Sequence, residues 1–271
     1  MNRAPLLFLG AFVAFASAWM GLVFFPNHQL KDLGVVTVEA TGQTVPAAYS
    51  GQQELGRRVY TAEGCVYCHT QQVRGGKYQN DIERGWGANA SSGEPRRSHP
   101  RDYIHDYPLL LGTMRTGPDL FNIGFRQDNR NWHHTHLYDP QIVSPGSIMS
   151  PFRYLYEKRK IVGQPSKDAL KFDFVFVSVS DPAALLRLKS AGFVVYVERD
   201  GRYGGPAMDI PLLTKVPGVT KVEPYVEEGW EIVPTERAIA LVAYLVEGLK
   251  HEYPIIEPPA SSQPAKVAEV K

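Results

Sequence analysis

Glu63-Gly64-Cys65-Val66-Tyr67-Cys68-His69-Thr70-Gln71 is the stretch that decides how this chain is read. It holds both cysteines of a 271-residue sequence, two residues apart and followed at once by a histidine. Two thiols so spaced on one turn reach the two vinyl groups of a haem, and the adjacent imidazole faces the iron. The pattern is therefore the attachment motif of a c-type haem. Competing uses of such a pair fare worse. A disulfide of this span closes a loop too small to constrain the unfolded chain. A zinc site needs further ligands, and no third cysteine exists. A thioredoxin-like redox pair needs a βαβ setting that the flanking sequence lacks. One motif implies one covalently bound haem c, with Cys65 and Cys68 as thioethers and His69 on the iron.

A low-spin electron carrier needs a sixth ligand, and a methionine there raises the potential. Met1 and Met20 belong to the N-terminal apolar run, which leaves Met114, Met149 and Met208. Met149 sits in a proline-bounded loop, Ser147-Ile148-Met149-Ser150-Pro151, downstream of the motif and able to wrap the distal face. It is favoured over Met208 in Gly205-Pro206-Ala207-Met208, and over Met114, which lies too near the proximal support. Filling a core is the ordinary fate of any one methionine. A ligating histidine usually donates its second ring N–H to an oxygen, and the Pro118 carbonyl in Gly117-Pro118-Asp119-Leu120 is a rigid candidate. Arg115 and Arg126 are candidates to neutralise haem propionates, a solvated surface position being the alternative for each. His133, His134 and His136 beside Trp132 suit neither an i, i+4 helical pair nor an ordinary zinc pattern. They read better as packing at the haem edge or at a subunit interface.

Outward from the motif, Ser50 caps a predicted helix to about Ala62, with Leu55, Val59 and Tyr60 on one face. Residues from Gln72 to Pro151 read as a long loop rich in Gly, Pro, Arg and Asn. A loop of that length needs an organiser other than secondary structure, and a large buried cofactor is one. Near the end, Thr235 caps a predicted amphipathic helix with Ala238, Leu241, Val242, Leu245 and Leu249 on one stripe. Between these, Lys160 to Gly229 reads as an inserted α/β lobe of βαβ type, with a strand over 172–179, a helix over 182–190 and a strand over 193–198.

The N-terminus carries an uncharged run from Ala4 to Phe25, 22 residues long. As a helix it spans about 33 Å, enough for a bilayer core of about 30 Å. Ala16-Ser17-Ala18 resembles a signal-peptidase site, but the apolar run continues through Trp19 to Phe25, which favours a retained anchor. Arg3 on the short side predicts a cytoplasmic N-terminus, with everything after Pro26 on the other side of the membrane. The expected organisation is an anchor over 1–26 and a juxtamembrane linker over 27–49. A haem-bearing domain over 50–250 carries the lobe at about 160–229, and a disordered tail occupies 251–271. A net charge of +1 gives no reason to expect nucleic acid as a partner. With 21 prolines and 24 glycines, the domain should be rich in loops.

The haem segment, continued by Val73-Arg74, resembles that of the mono-haem subunit (subunit II) of cbb3-type cytochrome c oxidases. So do Arg115-Thr116-Gly117-Pro118-Asp119-Leu120, Gly124, Arg126, Trp132-His133, His136-Leu137, Pro140 and Pro145-Gly146-Ser147-Ile148-Met149. The resemblance covers about residues 1–158 and 234–250. It implies a mainly α, class I-like cytochrome c domain, Met149 as distal ligand and the Pro118 carbonyl as partner of His69. It implies a bacterial inner-membrane complex with a haem–copper catalytic subunit and a di-haem cytochrome subunit or another donor cytochrome. That complex reduces O2 and pumps protons. This chain within it would pass single electrons and would not itself be the enzyme. A calcium ion at the subunit interface is also implied, with no ligands assignable here. Two departures stand out: Ser150 separates Met149 from Pro151, where the family places proline directly after the ligand, and the lobe has no counterpart. The alternative readings are the cytochrome subunit of a nitric oxide reductase and a membrane-tethered haem sensor.

Overall fold

The computed structural model describes residues 3–38, 41–75, 80–88, 95–208, 210–251 and 253. They fall into two compact units: the described residues of 1–48, 73–109 and 251–253 form one, and those of 49–72 and 110–250 the other.

In the first unit a 27-residue helix, α1, runs Ala4–Leu30 with none of its apolar window buried. It is about 40 Å long and apolar enough to cross a bilayer. Pro26 cannot donate a backbone hydrogen bond, and the turn before it, Met20–Phe24, widens to π geometry. Two short antiparallel strands follow, β1 (Val36–Val38) and β2 (Gln43–Val45). The chain beyond Val73 is organised by buried charge rather than by regular structure. Asp102 takes a two-pronged grip from Arg96, at 2.9 and 3.0 Å, and also accepts from the His99 backbone N–H and the Tyr253 hydroxyl. Asp81 accepts from the Arg74 N–H at 2.9 Å. These donors together outweigh the burial that would raise the Asp102 pKa, and hold it below the usual carboxylate value. His251 and Tyr253, assigned from sequence to a disordered tail, are buried beside this cluster. Residues from 254 onward lie outside those described.

In the second unit α2 (Gly51–Ala62) starts at a reciprocal cap: the Ser50 hydroxyl accepts from the Gln53 N–H, and the Gln53 side chain accepts from the Ser50 N–H. Short helices α3 (Ile123–Arg126), α4 (Arg130–Tyr138) and α5 (Pro140–Val143) follow, then strand β3 (Tyr156–Lys160). The lobe comes next as β4 (Phe174–Val179), α6 (Pro182–Ser190), β5 (Val197–Arg199), β6 (Arg202–Pro206), α7 (Ile210–Thr214) and β7 (Val219–Pro224). Strand β8 (Trp230–Pro234) returns antiparallel to β3, so the lobe enters and leaves through one two-stranded ribbon. The last helix, α8 (Glu236–Ala243), is capped by Thr235 and extends through a π turn to Gly248.

Helices α2 and α8 cross at Gly56, where a Cβ would lie 1.9 Å from the Ala240 carbonyl oxygen. Glycine lets the backbones touch. Around the crossing Val59, Tyr60, Leu110, Ile123, Leu137, Leu155, Leu241, Leu245 and Leu249 form one core. Tyr60 meets Tyr244 edge-on at 5.6 Å.

The lobe differs from the expected βαβ unit. Its sheet order is β5-β6-β4-β7 with every neighbour pair antiparallel. Strands β4 and β5 are parallel, as the β4–α6–β5 link requires, but β6 lies between them, a split βαβ arrangement. Val175 and Val177 face Leu188, Phe193 and Leu213, while Phe174 and Phe176 face Ile142 of α5. Burial on both faces explains the unbroken apolar run of β4. The chain as a whole thus mixes helix and sheet. The expectation of a mainly α protein fits only α1, residues 49–155 and α8.

Candidate functional site

Helix α2 ends at Glu63, and Gly64 turns the chain with φ +73°, a conformation strained for any residue with a side chain. The tight turn Cys65–Tyr67 follows, with the Cys68 and His69 N–H groups both donating to the Cys65 carbonyl, at 3.1 and 3.0 Å. Cys65 is half-buried, Cys68 is exposed, and neither is in a disulfide. Burial, with the Glu63 charge adding to it, pushes the Cys65 thiol up to about 12, so it is protonated at neutral pH.

The His69 ring lies 2.8 Å, Nδ1 to O, from the Pro118 carbonyl. A carbonyl only accepts, so Nδ1 carries the proton and Nε2 keeps a free lone pair. Burial lowers the His69 pKa, which keeps that lone pair available at neutral pH. The 117–118 backbone runs so close to the ring that a Cβ on Gly117 would stand 2.3 Å from Cε1. Backbone bonds stitch the two strands of this cradle together: Gly117 N–H to Cys68 O, Leu120 N–H to Thr70 O and Gln71 N–H to Leu111 O, at 2.7–3.0 Å. Asp119 is wholly buried and accepts from the Thr70 hydroxyl, the Gln72 N–H, the Phe121 N–H and Arg115.

A protein family described as cytochrome C oxidase, mono-heme subunit/FixO, matches residues 6–183 of this sequence. The chain belongs to this family. No curated protein matches it. The match to the mono-haem subunits runs through α1, the motif, the cradle and β4, and stops at the second residue of α6, short of most of the lobe.

A haem-carrying subunit should offer more than two thiols and an imidazole. Of the three methionines weighed from sequence, only Met149 packs on the core that Cys65 and Val66 also touch. Met114 is 59% exposed, and Met208 packs within the lobe. In α4 the three histidines have three different fates. His133 Nε2 donates to the Gln127 carbonyl at 2.8 Å, and His134 Nδ1 pairs with the Tyr156 hydroxyl at 3.2 Å. His136 stacks on Trp132 at 4.8 Å, and its buried Nδ1 has no partner among the described residues. Burial pushes both His134 and His136 down to about 4. Arg115 is engaged by Thr70 at 2.8 Å and the Gln72 carbonyl at 2.6 Å as well as by Asp119. Arg126 donates through one nitrogen to the Asp119 and Phe121 carbonyls, while its buried Nε has no partner among the described residues. Buried polar atoms without partners are costly. Both are atoms that the polar edge of a bound group could satisfy, a donor set that fits a haem.

Two buried carboxylates escaped sequence reasoning. Asp119 was noticed only as the neighbour of Pro118, and Asp139 not at all. The Asp139 Oδ2 accepts from Arg153 at 2.6 Å, from Tyr225 at 2.7 Å and from Arg199 at 2.9 Å. Burial alone would raise the Asp139 pKa, but these donors together prevail and lower it. The one sequence signal was Asp139-Pro140, a helix cap followed by a proline, which pointed to a helix start and not to a hub.

Proposed function

We propose that the chain binds one haem c covalently through Cys65 and Cys68, with His69 and Met149 as axial ligands. In this reading it passes single electrons from a donor cytochrome to the haem–copper catalytic subunit of a cbb3-type oxidase. The observation that carries this reading is the His69 ring, pinned by Pro118 with Nε2 free, on the same turn as both thiols. Haem supplies the one-electron couple, since no side chain here has a redox couple suited to respiration. The residues around it do the rest. Pro118 and Gly117 set the orientation of the imidazole. The Met149 loop supplies a thioether, which favours the reduced state. Arg126, with its spare Nε, and His136, with its spare Nδ1, are assigned to the propionate edge. Arg115 is spent on Asp119, Thr70 and Gln72, and holds the cradle instead. We place the cytochrome domain in the class I-like architecture on the strength of the α2–α8 crossing at Gly56, from which the motif follows directly.

Cys68 and Tyr67 are both exposed, which brings the thioether edge to the surface where a partner can approach to tunnelling distance. With α1 as a single span and Arg3 at its short end, the N-terminus is cytoplasmic and the haem domain periplasmic. Rapid mixing of the assembled oxidase with reduced donor and O2 tests the reading. The haem of this chain should be reduced and reoxidised within each turnover. A haem that stays oxidised while O2 is consumed contradicts it.

A further inference from the structure

The stretch that carries Met149 begins and ends on the same buried carboxylate. Asp139 opens α5, Met149 lies ten residues on, and Arg153 returns to Asp139 at 2.6 Å. A backbone bond from Phe152 N–H to Leu137 O, 2.8 Å, closes the loop beside it. The same Asp139 oxygen takes two more donors, both from the lobe: the Tyr225 hydroxyl at 2.7 Å and Arg199 at 2.9 Å. Next to this hub, Ile142 and Val143 of α5 sit on an apolar platform of the lobe sheet made by Phe174, Phe176, Val197 and Tyr225. Tyr225 itself stacks on Phe172 at 4.7 Å and on Phe176 at 5.8 Å, so its hydroxyl is aimed by packing and not left to rotate.

We propose that the lobe is a clamp on the distal-ligand loop: Arg199 and Tyr225, through Asp139, hold the loop closed and so keep the Met149 sulfur on the iron. This rests on Met149 being the sixth ligand. Apart from the Phe152–Leu137 bond and the packing of Met149 and Phe152 on the core, the loop's own hydrogen bonds are short-range turns, Ser147 N–H to Ser144 O and Met149 N–H to the Ser147 hydroxyl, so its charged tether is the Asp139 hub. Between Val143 and Arg153 there is no regular structure, and Ile148 and Ser150 on either side of Met149 are exposed. A thioether is a weak ligand on ferric iron, so any free energy that keeps the loop shut adds directly to its occupancy. Hydrogen bonds to a charged partner are the strong kind, and three converge here on one buried oxygen. The lobe's insertion point suits the role as well: β3 begins at Tyr156, three residues after Arg153, so loop, hub and lobe follow one another along the chain.

The test is displacement of Met149 by imidazole in the full chain, haem attached, in detergent. Imidazole nitrogen replaces sulfur on the ferric iron with no change in oxidation state, and the loss of the methionine-to-iron charge-transfer band reports it. Tyr225→Phe removes one hydroxyl and keeps the ring packing. Arg199→Met removes the charge and keeps the stem. Each should raise imidazole affinity about three- to tenfold, the worth of one charge-assisted hydrogen bond to a partly exposed partner. Arg199→Lys should recover part of the loss. Arg202→Met, which removes another lobe arginine that pairs with Glu223 and lies over Phe176, should leave the affinity unchanged. Wild-type affinity in both Tyr225→Phe and Arg199→Met overturns the clamp. So does an equal rise in Arg202→Met, since general loosening of the lobe would then suffice. A wild-type protein without the methionine band, unaltered by Met149→Ala, removes the ligand assignment and the clamp with it. A band that is present but indifferent to Arg199 and Tyr225 removes the clamp alone.

Discussion

Residues 63–72 and 110–121 are held together by backbone hydrogen bonds, tight glycine contacts and one buried carboxylate, whereas residues 172–229 are held by apolar side chains on both faces of a sheet. The first region leaves two thiols, a bare imidazole nitrogen and orphaned polar atoms around it; the second packs one face of its sheet within itself and the other on Ile142 of α5. A scaffold shaped for a guest carries its information in a few exacting residues. A lobe held by apolar packing spreads it over many tolerant ones. The family match follows the same division, running through the scaffold and stopping early in the lobe.

That contrast can be broken by substitution. Gly56→Val places side-chain carbon inside the Ala240 carbonyl and should force α2 from α8, with a cost of about 3–4 kcal/mol in denaturant unfolding. Leu188→Ala, wholly buried in the lobe, should cost about 3 kcal/mol and lower the lobe's unfolding midpoint. Below that midpoint the haem absorbance bands should be unaltered. Gly117→Ala should do the reverse: about 2 kcal/mol in stability, but a marked loss of the low-spin haem spectrum as the His69 ring is displaced. Equal spectral damage from Leu188→Ala and Gly117→Ala would erase the distinction between the two regions.

Acid should also separate them. His134, in the haem-bearing part, has its pKa pushed by burial from 6.5 to about 4, so below 6.5 the unfolded chain binds a proton that the folded one refuses. Its contribution to stability is complete above pH 6.5 and fades as the pH falls toward 4. Asp181, which caps α6 in the lobe, has a lowered pKa because the Ala184 N–H donates to it. Its contribution is intact until the pH falls below about 3.8 and the carboxylate is titrated. Acid titration followed separately by haem absorbance and by a lobe fluorophore should show the haem part yielding first. The smallest effect belongs to the exposed pair Arg130–Glu247, where Arg130→Ala should change stability by no more than about 0.5 kcal/mol.

The parts legible from sequence were those whose cause is local. The spacing of Cys65, Cys68 and His69, the Ser50 and Thr235 caps, the apolar stripe of α8 and the length of α1 depend only on neighbours along the chain. The Pro118 carbonyl was legible because proline makes a rigid acceptor in a recognisable loop. What stayed hidden depends on residues far apart: Asp139 draws on positions 153, 199 and 225, and Asp102 on positions 96 and 253. No periodicity announces a hub. The split sheet was hidden for a related reason. The 172–179 stretch suggested the first strand and 193–198 a second, parallel one, of which only Val197 and Glu198 fall in β5; nothing local says that β6 will come between them.

A covalent haem on Cys65 and Cys68 is tested most directly by denaturing the purified chain and extracting it with acid acetone. The pigment should stay with the polypeptide, its alkaline pyridine spectrum should be that of a haem with both vinyl groups saturated, and Cys65→Ser with Cys68→Ser should abolish it. A wild-type chain left colourless by the extraction would contradict the covalent attachment.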